Sequence, residues 1–190
     1  MISAILLAAG QSKRFKNDNK LTKIYKDKPL INHAINSLVK SKVNKIIIVL
    51  GYQAKKVKKI TIKSKKVNFI INKNFKTGIS SSIKSGLKKL TKNNKGFIIV
   101  QSDMPFVKKN TINKIYQSIL RKKYLVHALK FKNRIGNPIG FDITLLNKFK
   151  KINGDVGAKF IVKKFKNNTN FIKVRSNKIF KDFDLKRDFN

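Results

Sequence analysis

The sequence predicts an α/β fold in three layers, a Rossmann-like, mostly parallel sheet with helices on both faces. Short apolar runs at residues 2–8, 44–50 and 96–101 have the length and composition of buried strands. Segments with apolar residues at helical spacing lie between them, and this alternation is typical of βαβ units. Because ligands bind at the carboxyl ends of the strands in such sheets, we expect the functional loops to gather there.

The composition favours one globular domain that spans residues 1–190. Hydrophobic residues make up 41% of the chain and are spread evenly, so a sizeable core can form. The chain has no cysteine and only two histidines, which excludes a thiolate metal site and argues against a histidine-rich zinc site. No apolar run approaches the length of a membrane span and no signal-peptide pattern opens the chain. We therefore expect a cytoplasmic protein with no membrane partner.

The charge of the chain is extreme, at +38, with 46 basic residues against 8 acidic ones. Such a field attracts polyanions, so a basic nucleic-acid-binding module is one interpretation. However, 41 of the basic residues are lysines scattered along every segment, whereas nucleic-acid recognition relies heavily on the arginine fork. We therefore expect no specific nucleic acid partner, and we expect the few acids, all of them aspartates, to be disproportionately functional.

The first predicted strand, residues 2–8, leads into a loop of small and basic residues. Ala8, Ala9 and Gly10 leave little side-chain bulk between the backbone and a ligand. Backbone N–H groups in such a turn can point at an anion. The positive charges that could assist them belong to Lys13, Arg14 and Lys20. A phosphate-binding loop and an ordinary solvated turn both explain this stretch when it is taken alone.

A helix, a strand, a short helix and another strand are predicted next. Pro29 can open the first helix, whose apolar residues between 31 and 39 recur at helical spacing. Residues 44–50 form the second buried strand, residues 53–64 a short lysine-rich helix, and residues 67–71 the third strand.

A turn rich in glycine and serine follows the third strand. Gly78 and the serines at 80–82 lead into an amphipathic helix. The pattern fits a helix N-terminus capped by Ser80 or Ser81, and it also fits a turn that binds a ligand.

Asp103 follows the strand predicted at residues 96–101, and a Met-Pro turn comes directly after it. The carboxyl end of a central strand is where an α/β sheet places its ligand chemistry. Asp103 is therefore a candidate site residue, and an ordinary turn aspartate is the alternative.

The remaining chain continues the alternation and ends in an acidic tail. The predicted elements are, in order, a helix at 112–120, a strand at 124–131, a turn at 136–141 entering a strand, a helix at 142–151, a tight turn at 154–157, a helix at 158–165 and a strand at 171–174. Three of the eight acids, Asp182, Asp184 and Asp188, stand within seven residues of the tail.

Six motifs, taken together, resemble the MobA-like nucleotidyltransferases, and most closely the MocA branch, the molybdenum cofactor cytidylyltransferases. The family's loop L-A-(A/G)-G-x-S-x-R-(M/F)-G…K-L is similar to the opening L-L-A-A-G-Q-S-K-R-F…N-K-L. The branch's G-M-S-S-S-L-x-x-G-L and (G/A)-D-(M/Q)-P-F-V are similar to T-G-I-S-S-S-I-K-S-G-L and S-D-M-P-F-V. Its G-N-P-V-x-F and G-D-x-G-A-R are similar to G-N-P-I-G-F and G-D-V-G-A-K, and its D-I-D-T-P-E-D-L stands where this chain has D-F-D-L-K-R-D-F. Lys16, Lys159 and residues 185–187 depart from the family's Gly, Arg and T-P-E.

The resemblance implies a nucleotide-diphospho-sugar transferase-like fold and a nucleotidyl transfer. A phosphate oxygen of an acceptor attacks the α-phosphorus of a nucleoside triphosphate, a nucleoside monophosphate is transferred, and pyrophosphate leaves. Since the acceptor phosphate is already ionised, no general base is required. The resemblance implies Mg²⁺ as the cofactor, with Asp103 and Asp184 as metal ligands and Asp182 as the fallback, and it gives catalytic roles to Arg14, Lys20 and Asp103.

The resemblance also implies two sets of binding residues. The nucleotide set is Ala8, Ala9, Gly10, Ser12, Lys13, Arg14, Lys20, Gly78, Ser80 and Ser81. The acceptor set is Asn137, Pro138, Asp155 and Gly157. In the family, L-A-A-G in the first loop goes with the cytidylyl branch, so CTP is favoured over GTP.

Three interpretations of function stay open. The leading one is transfer of CMP from CTP to molybdopterin, with a transient contact to a molybdoenzyme that receives the product. The second is a nucleotidyltransferase of the same fold that uses GTP or a sugar-phosphate acceptor. The third, from a different class, is the basic nucleic-acid-binding module, since fold-level analogy does not determine a substrate.

Overall fold

The computed structural model describes residues 1–16 and 18–189. Positions 17 and 190 lie outside the described residues; the first belongs to the predicted phosphate loop and the second ends the predicted domain. The described strands are β1 (Ile2–Ala8), β2 (Ile24–Tyr25), β3 (Lys28–Pro29), β4 (Lys45–Leu50), β5 (Val67–Ile71), β6 (Gly96–Gln101), β7 (Val126–Phe131), β8 (Arg134–Asp142) and β9 (Thr169–Lys173). The described α-helices are α1 (Leu30–Val39), α2 (Ala54–Lys59), α3 (Ile79–Leu87), α4 (Lys109–Leu120), α5 (Leu146–Lys150) and α6 (Ala158–Lys164).

A seven-stranded sheet runs through the described residues in the order β5-β4-β1-β6-β8-β7-β9. Strand β8 is antiparallel to both of its neighbours, and the other neighbouring strands are parallel. Strand β1 is buried along its whole length between β4 and β6. In the register of β1 and β6, Leu7 lies opposite Gln101, so both strands end at the same edge. The predicted mostly parallel sheet is confirmed.

Helices cover both faces of the sheet, as predicted. The alternation along β1 places Ala4 and Leu6 in one apolar cluster with α1 and α4. It places Ile5 and Leu7 in a second cluster with α3, α5 and α6 on the opposite face. Within the described parts of the chain, none of the helices has both the length and the apolar character needed to cross a bilayer.

Three predicted elements differ from the structure: the turn at 136–141, the helix at 53–64 and the helix at 142–151. The last begins as a 3₁₀ turn at Ile143–Leu145 and continues as α5. Residues 136–141, expected as a turn entering a strand, lie inside β8, and the chain turns earlier, at residues 132–133. The register between β7 and β8 shifts at Ala128, and this bulge accommodates the two residues Asn137 and Pro138. The helix expected at 53–64 is limited to α2, and the short hairpin of β2 and β3 was not predicted.

His127 is a buried residue of β7 that is hydrogen-bonded to a neighbouring helix. Its Nδ1 lies 2.7 Å from the Ser118 hydroxyl oxygen, which also accepts a hydrogen bond from the Asn170 amide at 2.7 Å. Burial lowers the pKa of His127 to about 4. The histidine therefore belongs to the core of the protein.

We expect His127 to make the stability of the protein pH-dependent. Between pH 6.5 and about 4 the unfolded chain binds a proton at this residue and the folded chain does not, so acidification favours unfolding. Over this window the free energy of unfolding falls by up to about 3 kcal/mol. Chemical denaturation of the wild type and of His127→Gln should give curves of stability against pH that diverge across this window. Parallel curves would contradict the expectation.

Candidate active site

A cavity of about 510 Å³ opens at the carboxyl ends of β1 and β6. Most of the residues expected to act in the site line it. These are Ala9, Gly10, Ser12, Lys13, Arg14, Lys20, Gly78, Asp103, Asp155 and Asp184. The remaining predicted residues, Ala8, Ser80, Ser81, Asn137, Pro138 and Gly157, are not among those that line it.

The first loop is anchored at both ends by side chains. Ser12 adopts a left-handed conformation with φ 50°, and its hydroxyl accepts a hydrogen bond from the Lys20 N–H at 3.2 Å. Buried Asn19 accepts from the Leu21 N–H at 3.0 Å and donates to the Tyr52 carbonyl at 3.2 Å. The loop is therefore tied back on itself and to the segment after β4, while its basic side chains remain at the cavity.

Gly10 faces open space within the loop. A Cβ added at this position would meet no atom within 4 Å outside its chain neighbours. A ligand can thus approach the backbone here without displacing a side chain, which is the property expected of a phosphate-binding loop. The neighbouring Ala8 is buried in the core, so only its backbone is in a position to act near the loop.

The turn at Gly78 packs directly against the turn at residues 154–157. Gly78 has φ 104°, and a Cβ there would lie 2.3 Å from the Gly154 carbonyl carbon, so both the conformation and the space require glycine. The Ser80 N–H donates to the Gly154 carbonyl at 3.1 Å, and the Ile79 N–H donates to the Asp155 carboxylate at 3.3 Å. The structure therefore joins a turn expected to bind nucleotide to one expected to bind the acceptor.

Capping by Ser80 or Ser81, one of the two interpretations of this stretch, is wrong, because Gly78 occupies the N-cap position of α3 and both serines lie within the helix. Ser80 is buried, and the Ser81 hydroxyl donates to the Asn74 and Gly78 carbonyls. Ser82 lines the cavity instead. The position at which the helix begins determines which serine faces the site. The three consecutive serines alone do not reveal that position.

The remaining acceptor residues are split by the fold. Asn137 and Pro138 lie in β8, next to the strand that ends at Gln101, and Gly157 is the N-cap of α6. Of the four, Asp155 lines the cavity. The acceptor assignments therefore stay predictions.

Lys20 lies between two aspartates that are far apart in the chain. Its Nζ is 2.7 Å from Asp103 Oδ2 and 2.6 Å from Asp184 Oδ1. Arg14 pairs with the other Asp184 oxygen at 3.0 Å. The side chains of Lys20 and Asp103 are only 13% and 18% exposed, so this half of the cluster is largely shielded from water, whereas Asp184 and Arg14 are 44% and 63% exposed. The cluster contains the catalytic and metal residues expected from the sequence, except the fallback Asp182, which is exposed and outside the cavity lining.

Burial and charge act in opposite directions on this cluster. Burial lowers the pKa of Lys20, but the two carboxylates outweigh it and raise that pKa above its usual value. Burial raises the pKa of Asp184, but Lys20 and Arg14 outweigh it, so that pKa lies below its usual value. For Asp103, burial prevails over the opposing Lys20 ammonium and raises the pKa. The two carboxyls therefore depend on a cation between them.

The tail reaches the site because Phe183 is anchored in the core. Its N–H donates to the Asp103 carbonyl at 3.0 Å, and its buried ring packs against Tyr25, with ring centres 4.6 Å apart. The Asp188 carboxylate then accepts from the N–H groups of Asp184 and Leu185 at 2.9 and 2.8 Å. A C-terminal turn thus presents Asp184 to the cavity.

The donor set fits a magnesium ion. Mg²⁺ in phosphate-transfer sites usually takes one or two protein carboxylates and completes its shell with substrate and water. Asp103 and Asp184 provide two carboxylates, and the buried Oδ1 of Asp103 has no hydrogen-bond partner among the described residues. No cluster of three or more such ligands occurs within residues 1–16 and 18–189, so protein ligands alone do not complete a metal shell.

Several lining residues were not predicted. They are Leu7, Gln11, Phe15, Leu21, Phe75, Lys76, Ile79, Ser82, Gln101 and Ser102. Gln101 and Ser102 could have been found, since they directly precede Asp103 at the strand end. Phe75 and Lys76 carry no local signal, because they reach the cavity only through the packing of the 3₁₀ turn Phe75–Thr77.

The fold and this cavity define an α/β nucleotide-binding enzyme, with an open glycine loop, basic side chains and two carboxylates at the strand ends. Residues 4–169 match the MobA-like NTP transferase domain, and the chain belongs to that family of nucleotidyltransferases. Asp184 and the anchor that holds it lie beyond the matched residues.

Relatives with curated names share part of their length with this chain. It is 28% identical over 141 residues to the bifunctional protein GlmU of Clostridioides difficile, covering 73% of this chain and 29% of GlmU. It is 30% identical over 139 residues to the 2-C-methyl-D-erythritol 4-phosphate cytidylyltransferase of Lachnoclostridium phytofermentans, covering 70% of this chain and 58% of that enzyme. The chain thus spans less than two thirds of either relative.

Solved structures share the fold over nearly the whole chain. Rv0371c from Mycobacterium tuberculosis superposes with a TM-score of 0.87 at 19% identity, covering 99% of this chain and 95% of that one. The nucleotidyl transferase Mth528 from Methanothermobacter thermautotroptrophicus gives 0.83 at 17% identity, covering 100% and 94%. A manganese complex of Rv0371c gives 0.76 at 18% identity, covering 92% and 89%.

We expect Asp188→Ala to loosen the tail. The substitution removes the acceptor for two backbone N–H groups, and the loss of such bonds costs about 1–3 kcal/mol. Hydrogen exchange should become faster at the amides of Asp184 and Leu185, and thermal unfolding should begin at a lower temperature. Asp182→Ala, which removes the same charge from an exposed position nearby, should leave both measurements close to the wild type. Equal effects of the two substitutions would refute the role of Asp188.

Proposed function

We propose that this nucleotidyltransferase transfers CMP from CTP to a phosphate-bearing acceptor, with Mg²⁺ as cofactor and molybdopterin as the acceptor, and releases pyrophosphate. The observation that carries the proposal is the cluster of Lys20, Asp103 and Asp184 beside the open glycine loop. It combines a buried cation, two oxygen ligands and a free backbone surface. A triphosphate and its metal require these groups.

The loop residues act on the phosphates in this proposal. Backbone N–H groups near Gly10 approach the triphosphate, and Lys13, Arg14 and Lys20 balance its charge. The bond between the α-phosphorus and the bridging oxygen of pyrophosphate breaks as the acceptor oxygen bonds to phosphorus. The positive side chains stabilise the charge that develops on the leaving group. When bound, Mg²⁺ would be held by Asp103 and Asp184 and would add electrostatic stabilisation of the phosphate oxygens.

The preference for CTP has two supports. The first loop reads L-A-A-G, as in the cytidylyl branch that it resembles, and a relative that is 30% identical is named a cytidylyltransferase. Backbone groups near Ala8 and the segment from Gly78 to Ser82, at the start of α3, are proposed to recognise the base.

The proposed acceptor-binding residues come from the motifs in the later part of the sequence. Asn137, Pro138, Asp155 and Gly157 are the proposed acceptor residues, and Asp155 lies at the cavity beside the nucleotide turn. Molybdopterin is proposed from the similarity of all six motifs to the MocA branch, and a molybdoenzyme would receive the product. Transfer to a sugar-like phosphate is the second candidate, because the name of the 30% identical relative specifies 2-C-methyl-D-erythritol 4-phosphate.

The experiment that tests the proposal measures pyrophosphate release with each nucleoside triphosphate. Molybdopterin and 2-C-methyl-D-erythritol 4-phosphate serve as the acceptors. We expect molybdopterin with CTP to give the highest kcat/KM, exceeding that with GTP by at least about tenfold. Equal or faster turnover with GTP would reject the assignment of the base. Faster turnover with 2-C-methyl-D-erythritol 4-phosphate would reject molybdopterin in favour of the second candidate.

We expect Asp103→Asn to abolish transfer while leaving the fold intact. The change removes one charged metal ligand, and the loss should be on the order of 10³-fold in kcat. Turnover should be measured against Mg²⁺ concentration, together with the far-ultraviolet circular dichroism of the variant. Asp27→Asn is the matched control, since Asp27 is exposed and pairs with Lys28 away from the cavity. Near-normal turnover of Asp103→Asn with unchanged metal dependence would overturn the metal assignment.

A further inference from the structure

We propose that Lys20 occupies the position of the metal until the nucleotide arrives, so that the metal and the Lys20 ammonium exchange places on the two aspartates. The inference rests on the proposed function and deepens it, because it assigns the order in which the metal and the nucleotide enter the site. Mg²⁺ would enter as a complex with the triphosphate, and the site would bind the free ion poorly.

The geometry of the cluster carries this inference. A single ammonium nitrogen lies within 2.7 Å of Asp103 Oδ2 and 2.6 Å of Asp184 Oδ1. These oxygens belong to the two carboxylates best suited to a divalent ion. Mg²⁺ binds such oxygens at about 2.0–2.1 Å, so the ion and the ammonium would need the same space between them. Two cations at that separation would also repel strongly in a partly buried site.

The charges of the cluster explain why Lys20 rests there. Without a cation between them the two carboxylates would repel each other, and the Lys20 ammonium relieves that repulsion. Removing the ammonium alone would leave the largely buried Asp103 carboxylate uncompensated, which is costly, whereas Asp184 is 44% exposed and also pairs with Arg14. A divalent ion that replaces the ammonium again places positive charge between the two carboxylates.

The surrounding loop gives the displaced ammonium a second partner. The Lys20 backbone is held by the Ser12 hydroxyl at 3.2 Å, so the residue stays in the loop while its side chain changes direction. Lys20 lines the same cavity as Gly10 and Lys13, where the triphosphate is proposed to lie. Phosphate oxygens there can accept the hydrogen bonds that the Lys20 ammonium otherwise donates to the two carboxylates. One binding event thus removes Lys20 from the aspartates and brings the ion that replaces it.

The test measures the binding of Mn²⁺ alone to the full chain by electron paramagnetic resonance at constant ionic strength. We expect Lys20→Met to bind Mn²⁺ about tenfold more tightly than the wild type, or better, because the competing ammonium is gone. Lys23→Met is the matched control. It removes one positive charge from a lysine that pairs with Asp18 outside the cavity lining, and its Mn²⁺ affinity should equal that of the wild type. The double variant Lys20→Met with Asp103→Asn should lose the gain.

Equal Mn²⁺ affinity of Lys20→Met and the wild type would overturn the inference, and so would an equal gain in the Lys23→Met control. Circular dichroism and thermal unfolding verify that each variant folds, and Lys20→Gln replaces Lys20→Met if the latter unfolds. The titration contains no nucleotide, so pyrophosphate release by the wild type judges the proposed function separately. Transfer activity together with unchanged Mn²⁺ affinity would reject the exchange and leave the proposed function in place.

Discussion

The position of β1 between β4 and β6 is the constraint on which the site depends. A strand buried on both faces and paired on both sides cannot shift in register without exposing apolar residues, so its carboxyl end is fixed in space. The first loop leaves from that end, and Asp103 follows the end of the neighbouring strand. The distance between the first loop and Asp103 is therefore set by the hydrogen bonds of the sheet.

The second carboxylate has a different origin. Asp184 is held by the tail, through the ring of Phe183, its N–H bond to Asp103 and the cap that Asp188 provides. One part of the cluster is therefore held by the sheet and the other by the tail, and the two parts differ in rigidity. A strand end is held by a cooperative sheet, whereas a short turn depends on a few contacts.

Much of the sheet could be predicted because its signals are local. The bounds of β1, β5 and β6 match the apolar runs, since turn residues flank each run. The region 136–141 was misassigned because glycine and proline usually break strands, yet a bulge tolerates both. Lys20 meets residues 83 and 164 positions away, and no local pattern shows this. The sheet topology indicated that the first loop and Asp103 lie at one edge, whereas the resemblance to a family indicated that Asp184 belongs with them. Ser80 and Ser81 were predicted in place of Ser82 because three consecutive serines do not reveal which of them faces the cavity once the helix forms.

The contact between Gly78 and Gly154 has a consequence for any redesign of the chain. The 154–157 turn fills the space that a side chain at Gly78 would need, whereas a Cβ on Gly154 would meet no atom within 4 Å. The Ile79 and Asp155 that hydrogen-bond across this contact are 76 positions apart in the chain. A side chain at Gly78 would therefore require the 154–157 turn to move away. A chimera that takes the segment around Gly78 from one parent and the 154–157 turn from another would have to preserve this clearance.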